Sequence, residues 1–170
     1  MNKIIFFFLI ISANLICASA QTDTSSIASA QKIPAVNIKN LQGKAIITSS
    51  FSNDGKPIII VFWNSVHKFP GRQLDELQEN YAEWKKEVKI IVISVDDTRT
   101  ASHVLPMVNS KGWYFDFFLD INSDFKRAMN INNLPHTFLL NGRGEVVWKT
   151  VGFMEGNETL IHDELIKIKN

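Results

Sequence analysis

The sequence predicts a layered α/β domain with a central mixed β-sheet flanked by helices, and three observations carry that prediction. From Lys56 onward, short runs rich in Ile, Val and Phe alternate with longer runs whose apolar residues recur every three or four positions. Residues 57–63 form an unbroken apolar run of the kind buried on both faces of a central parallel strand. The chain has 170 residues, enough for one domain with a substantial core even after a leader is set aside.

The elements follow in order. Residues 36–38 and 44–48 are β-leaning pieces around a turn at Gln42 and Gly43, which predicts a hairpin at one edge of the sheet. After the strand at 57–63, Leu74, Leu77, Tyr81 and Trp84 recur at helical spacing, with Asp75, Glu76, Glu79, Glu83, Lys85 and Lys86 on the opposite side. A second buried strand spans 88–95 and ends at Asp96 and Asp97. Residues 98–111 read as a helix stopped by Gly112, with Pro106 predicting a kink or a late start. A third strand covers 114–119, and a short helix at 124–129 is expected to be capped by Asn122 or Ser123. Residues 136–140 and 145–151 form an antiparallel pair around Asn141, Gly142, Arg143 and Gly144. A last helix, 158–168, turns Leu160, Ile161, Leu165 and Ile168 inward.

The amino terminus has the form of a secretory leader. Lys3 precedes an apolar run at 4–16, and Ala18, Ser19 and Ala20 provide a small-x-small cleavage site, so the domain layout is a signal peptide at 1–20, a polar lead at 21–33 and one domain at 34–170. The apolar run is shorter than the ~20 residues needed to cross a bilayer. The expectation is an exported protein, periplasmic or secreted and soluble after cleavage near Ala20. Lipidation at Cys17 is the alternative, disfavoured because Ile16 is bulkier than lipoprotein processing prefers. The chain carries 18 basic and 17 acidic side chains, and removal of Lys3 balances them. Without a basic stripe or charge run, nucleic acid and anionic membrane are poor partners.

Cys17 is the sole cysteine and lies within the leader. The domain itself therefore holds no intramolecular disulfide, although an exporting compartment would permit one. No Gly-x-Ser-x-Gly elbow or orienting acid accompanies Ser65 and His67, and the glycines at 142 and 144 belong to a hairpin turn rather than a phosphate loop.

The order of elements, with Phe62, Trp63, Asn64 and Ser65 ahead of the first long helix, resembles the thioredoxin-like superfamily. It is most similar to the exported TlpA/ResA-type branch of thiol-disulfide oxidoreductases, which adds an N-terminal hairpin and an extra strand-helix insertion. The runs IIVISVDD, LPHTFLLNGRGEVV and VGF carry the same resemblance. It implies that Pro135 is a cis-proline facing the active-site loop, that His67 and Pro70 stand where the family has its nucleophilic and resolving cysteines, and that Val61 replaces a buried acid. Thiol-disulfide exchange proceeds through a thiolate, and peroxiredoxins, a related group, also need a reactive cysteine. Neither chemistry is open to a domain without sulfur nucleophiles, and an oxidoreductase label would hold by descent only.

What remains is a cleft. The resemblance implies that Trp63, His67, Lys68, Phe69 and Pro70 on one loop face Leu134, Pro135 and His136 on another, and that an extended protein or peptide partner of the cell envelope lies between them by β-type pairing. Lys68 and Arg72 would favour an acidic one. No catalytic residue and no cofactor is expected. A second reading gives His67 and His136 a metal ion, with Met107 or Met154 assisting a soft one. His67 at a helix N-terminus would stay neutral and able to ligate. Against it, neither histidine has an acidic or third histidine neighbour in sequence, and zinc sites take three or four protein ligands. Asp96 and Asp97 are assigned to turning the chain into the next helix, and His103 and His162 to solvated helix positions.

Overall fold

The computed structural model describes residues 31–67 and 71–169. The leader, and with it Cys17, lies outside the described residues, as do Lys68, Phe69 and Pro70. The fold is thioredoxin-like: seven strands and four α-helices in the order β1 (Asn37–Asn40), β2 (Ala45–Ile47), β3 (Ile58–Trp63), α1 (Arg72–Trp84), β4 (Lys89–Ser94), α2 (Val104–Lys111), β5 (Asp116–Leu119), α3 (Asp124–Ala128), β6 (His136–Leu140), β7 (Val146–Val151) and α4 (Asn157–Lys169). The strands form one mixed sheet ordered β2-β1-β5-β4-β3-β6-β7. β3 runs parallel to β4 and antiparallel to β6, so its backbone is paired on both sides. The hairpin of β1 and β2 lies at one edge, and α2 with β5 stands between β4 and α3 as the added helix and strand.

Side chains of a strand alternate between faces, and both faces of this sheet are covered. Ile59, Val61 and Trp63 pack with Leu74, Leu77, Val104, Ile161 and Leu165 under α1, α2 and α4. Ile58, Ile60 and Phe62 pack with Ile91, Ile93, Phe125, Met129 and Phe138 under α3. All six residues of β3 are buried, as an uninterrupted apolar run requires.

The late start that Pro106 predicts and the stop at Gly112 are both found, and other local expectations are corrected. Helix α2 begins only at Val104, after a short 3-10 turn at Ala101–His103, so Pro106 falls within its first turn, where a missing amide costs nothing. Gly112 ends it in the left-handed conformation, φ 64°. Neither Asn122 nor Ser123 caps α3. The Asp120 carboxylate does, accepting from the amides of Phe125 (3.1 Å) and Lys126 (2.8 Å). In α4, Ile161 and Leu165 point inward but Leu160 is 48% exposed. His162 is not simply solvated: its ring stacks on Trp84 at 5.3 Å, while His103 is exposed as expected.

Candidate functional site: the cleft at the end of β3

The site forms where β3 runs out. Parallel pairing brings Trp63 beside Ser94, so the chain leaving β3 at Asn64 emerges next to the chain leaving β4 at Asp96. Asn64 folds the backbone by accepting the Val66 amide on its side-chain oxygen at 2.8 Å. Asp96 then fastens the turn. Its carboxylate is wholly buried and accepts from the Ser65 amide (2.9 Å), the Ser65 hydroxyl (2.6 Å) and the Ser94 hydroxyl (2.7 Å). Asp97 alone performs the expected turning role, accepting from the amides of Arg99 (2.9 Å) and Thr100 (3.2 Å). Asp96 instead anchors the cleft loop, which is a correction to the joint assignment of the pair.

The facing loop carries the Leu134–Pro135 peptide bond in cis. Between the two loops lies a cavity of about 10 Å³ bordered by Trp63, His67, Gln73, Leu134, Pro135 and Phe153. Trp63 forms its floor, packed edge-on against Trp113 (5.8 Å) and Phe117 (6.3 Å). The start of α1 is braced against the same tryptophan cluster, because Asp75 accepts from the Trp113 indole (3.0 Å) and from Lys111 (2.8 Å). Arg72 contributes no free charge: it is paired with Glu155 at 2.7 Å and lies over the Phe153 ring at 5.4 Å.

The two histidines sit in different surroundings. His67 is exposed in the loop and borders the cavity, several residues ahead of the first turn of α1 rather than within it. His136 sits opposite Phe62 on the α3 face of the sheet, stacked on Phe138 at 4.6 Å and 8% exposed, whereas Thr137 is the neighbour that turns toward α1. Neither ring nitrogen of His136 meets hydrogen-bonding geometry with a described residue. Burial, aided by Lys149 and partly offset by the Asn133 backbone, holds this imidazole below the ordinary histidine range. Among the described residues no group of three or more His, Cys, Asp or Glu side chains is arranged to hold a metal ion.

Two contributors escaped the sequence reading. Gln73 is buried at the cavity, its Nε2 donating to Thr137 Oγ1 at 2.9 Å. The signal was present in its spacing, since residues 73, 77, 81 and 84 share one helical face, but a polar residue at the end of that stripe reads as solvent-facing. Phe153 follows β7 and closes the cavity from the side of α4. A second feature joins the same helices: Glu76 of α1 meets Glu158 of α4. Burial, the carboxyl–carboxyl hydrogen bond and repulsion from the second charge push Glu76 up to about 7, against the pull of Arg72.

A sheet of this order, with a helix launched from the loop after its central strand and a cis-proline loop opposite, defines a thioredoxin-like protein. The AhpC/TSA family model matches residues 29–149, and the chain belongs to that family. The thiol-disulfide oxidoreductase ResA of Bacillus subtilis is 28% identical over 163 residues, covering 91% of this chain and 88% of its own. The solution structure of an uncharacterized thioredoxin-like protein from Porphyromonas gingivalis superposes with a TM-score of 0.72 at 38% identity, covering 80% of this chain and 90% of that one. StoA from Bacillus subtilis shares the fold at 22% identity, with a TM-score of 0.61 over 79% of this chain and 97% of its own.

Proposed function

We propose that this protein is an exported member of the thioredoxin-like family that binds an extended peptide or protein segment of the cell envelope in its cleft and does not carry out thiol-disulfide exchange. One observation carries the reading. The cavity where the two loops meet is bordered by Trp63, His67, Leu134, Pro135 and Phe153, and the chain's single cysteine, Cys17, is not among the residues that border it. A cleft without a thiol keeps an apolar surface for an extended segment to lie on, and lacks the nucleophile that disulfide exchange needs. The leader sequence supports export, and no helix among the described residues is long and apolar enough to cross a membrane.

Two measurements on the purified protein test the reading. Insulin reduction by dithiothreitol is expected to run at the uncatalysed rate, and turnover above it would overturn the non-redox assignment. A pool of extended hexapeptides is expected to bind, with affinity reduced about tenfold in Phe153→Ala, the loss given by one apolar contact face. Equal affinity in the variant would remove the cleft from the binding surface.

A further inference from the structure

The sheet ends at β7, and no described strand covers its outer edge. Backbone groups of successive residues in an antiparallel strand point alternately to either side. The Gly152 amide donates inward to the Pro135 carbonyl at 2.8 Å, so the backbone groups of Lys149 and Val151 point off the sheet. β7 bulges against β6 at Val147, but Trp148 to Val151 keep a regular register opposite Leu139 to His136. That stretch can take another strand. Val147 and Val151 on it are 43% and 51% exposed.

Pairing on this edge has already begun. Lys32 forms an antiparallel bridge with Glu145, and the Gln31 carbonyl accepts from the Val146 amide at 2.8 Å. In an antiparallel pair, a step back along one strand is a step forward along the other. Residues that precede Gln31 are thereby aimed along Val147 to Val151, and Ser26, Ile27, Ala28, Ser29 and Ala30, which lie outside the described residues, match that stretch in length. They include no proline, glycine or charge to oppose a strand. A strand from another molecule is less well placed. An edge lysine such as Lys149 and a bulge both discourage pairing between molecules, whereas a segment already fixed at Gln31 is present at an effective concentration of about millimolar.

We infer that residues 26–30 add to β7 as a further antiparallel strand and cover its edge within the same molecule. The pairing also fixes where the preceding chain emerges. β7 leads into Gly152 and Phe153, and Phe153 borders the cleft cavity, so residues 21–25 are delivered to the cleft end of the sheet rather than to the end that carries Gly142.

Nuclear magnetic resonance on the purified protein tests this. Contacts between backbone protons of residues 26–30 and those of Lys149 or Val151 are expected. Exchange of the Lys149 and Val151 amides is expected to be about tenfold slower than in the double variant Ile27→Pro with Ser29→Pro, which lacks the two amides that would face β7. Equal exchange at Ile60 and Val61 of the central strand reports that the variant is folded. Absence of the contacts, or equal exchange of the Lys149 and Val151 amides in the two proteins, overturns the inference. Contacts found only between differently labelled molecules in a mixed sample assign the strand to a second copy and overturn the pairing within one molecule.

Discussion

The Asp96 carboxylate takes both the backbone amide and the hydroxyl of Ser65, at 2.9 and 2.6 Å, across 31 positions of sequence. Two neighbouring strand ends are thereby tied together at the point where the cleft loop begins. Hydrogen bonds to a buried charge are among the stronger ones, at about 1.5–3 kcal/mol each. Ser65→Ala is expected to destabilise the protein by about 1.5–3 kcal/mol, and Asp96→Ala by more, since it leaves the Ser65 and Ser94 groups unpaired. Urea unfolding gives the loss. Amide exchange at Val66 and His67, faster in both variants than in the unmodified protein, would locate it in the cleft loop.

Capping of α3 from four residues upstream separates two aspects of the helix start. Asp120→Ala is expected to cost about 1–2 kcal/mol, because Phe125 and Lys126 lose their acceptor. Ser123→Ala, at the position a local reading favours, is expected to change stability by less than about 0.5 kcal/mol, since its side chain makes no capping bond. Midpoints of chemical denaturation rank the two variants, and the reverse order would refute the assignment.

The Glu76 and Glu158 pair couples stability to pH. With its pKa pushed up to about 7 from an ordinary value of 4.5, Glu76 keeps a proton in the folded state over a range where the unfolded chain has released it. The folded state therefore binds more protons between those values, and stability falls as pH rises from about 4.5 through 7, then levels. Glu76→Gln removes the titration, so its denaturation midpoint is expected to exceed that of the unmodified protein at pH 8 and to lose this component of the decline. Parallel pH profiles for the two proteins would show that the pair does not titrate in this way.

At the opposite end of the sheet, the hairpin between β6 and β7 presses on the turn before β3. A Cβ on Gly142 would fall 1.8 Å from the Gly55 carbonyl oxygen and 2.6 Å from its carbon. Backbone cannot yield as a flexible side chain does, so Gly142→Ala is expected to cost about 2–3 kcal/mol. Its thermal midpoint measures the loss, and a midpoint within error of the unmodified protein would show that the two turns separate at little cost.

Much of this architecture is written in local pattern. The apolar run of β3, the alternation of strand and helix, and the turn residues at Gln42–Gly43 and Asn141–Gly144 each act over a few residues, so periodicity alone placed them and the layered α/β class with them. Absence of cysteine from the domain is likewise a property of composition, and it limits the chemistry before any fold is known. The sequence could not decide which buried polar groups meet. Asp96 finds Ser65, Gln73 finds Thr137 and Glu76 finds Glu158 only because the sheet order and the packing of α1 against α4 bring distant segments together. The same geometry turns His136 away from the face that carries α1, since neighbouring positions on a strand face opposite sides of the sheet and it is Thr137 that meets Gln73. Burial makes those polar pairings matter, and burial is set by the whole fold rather than by any one stretch of it.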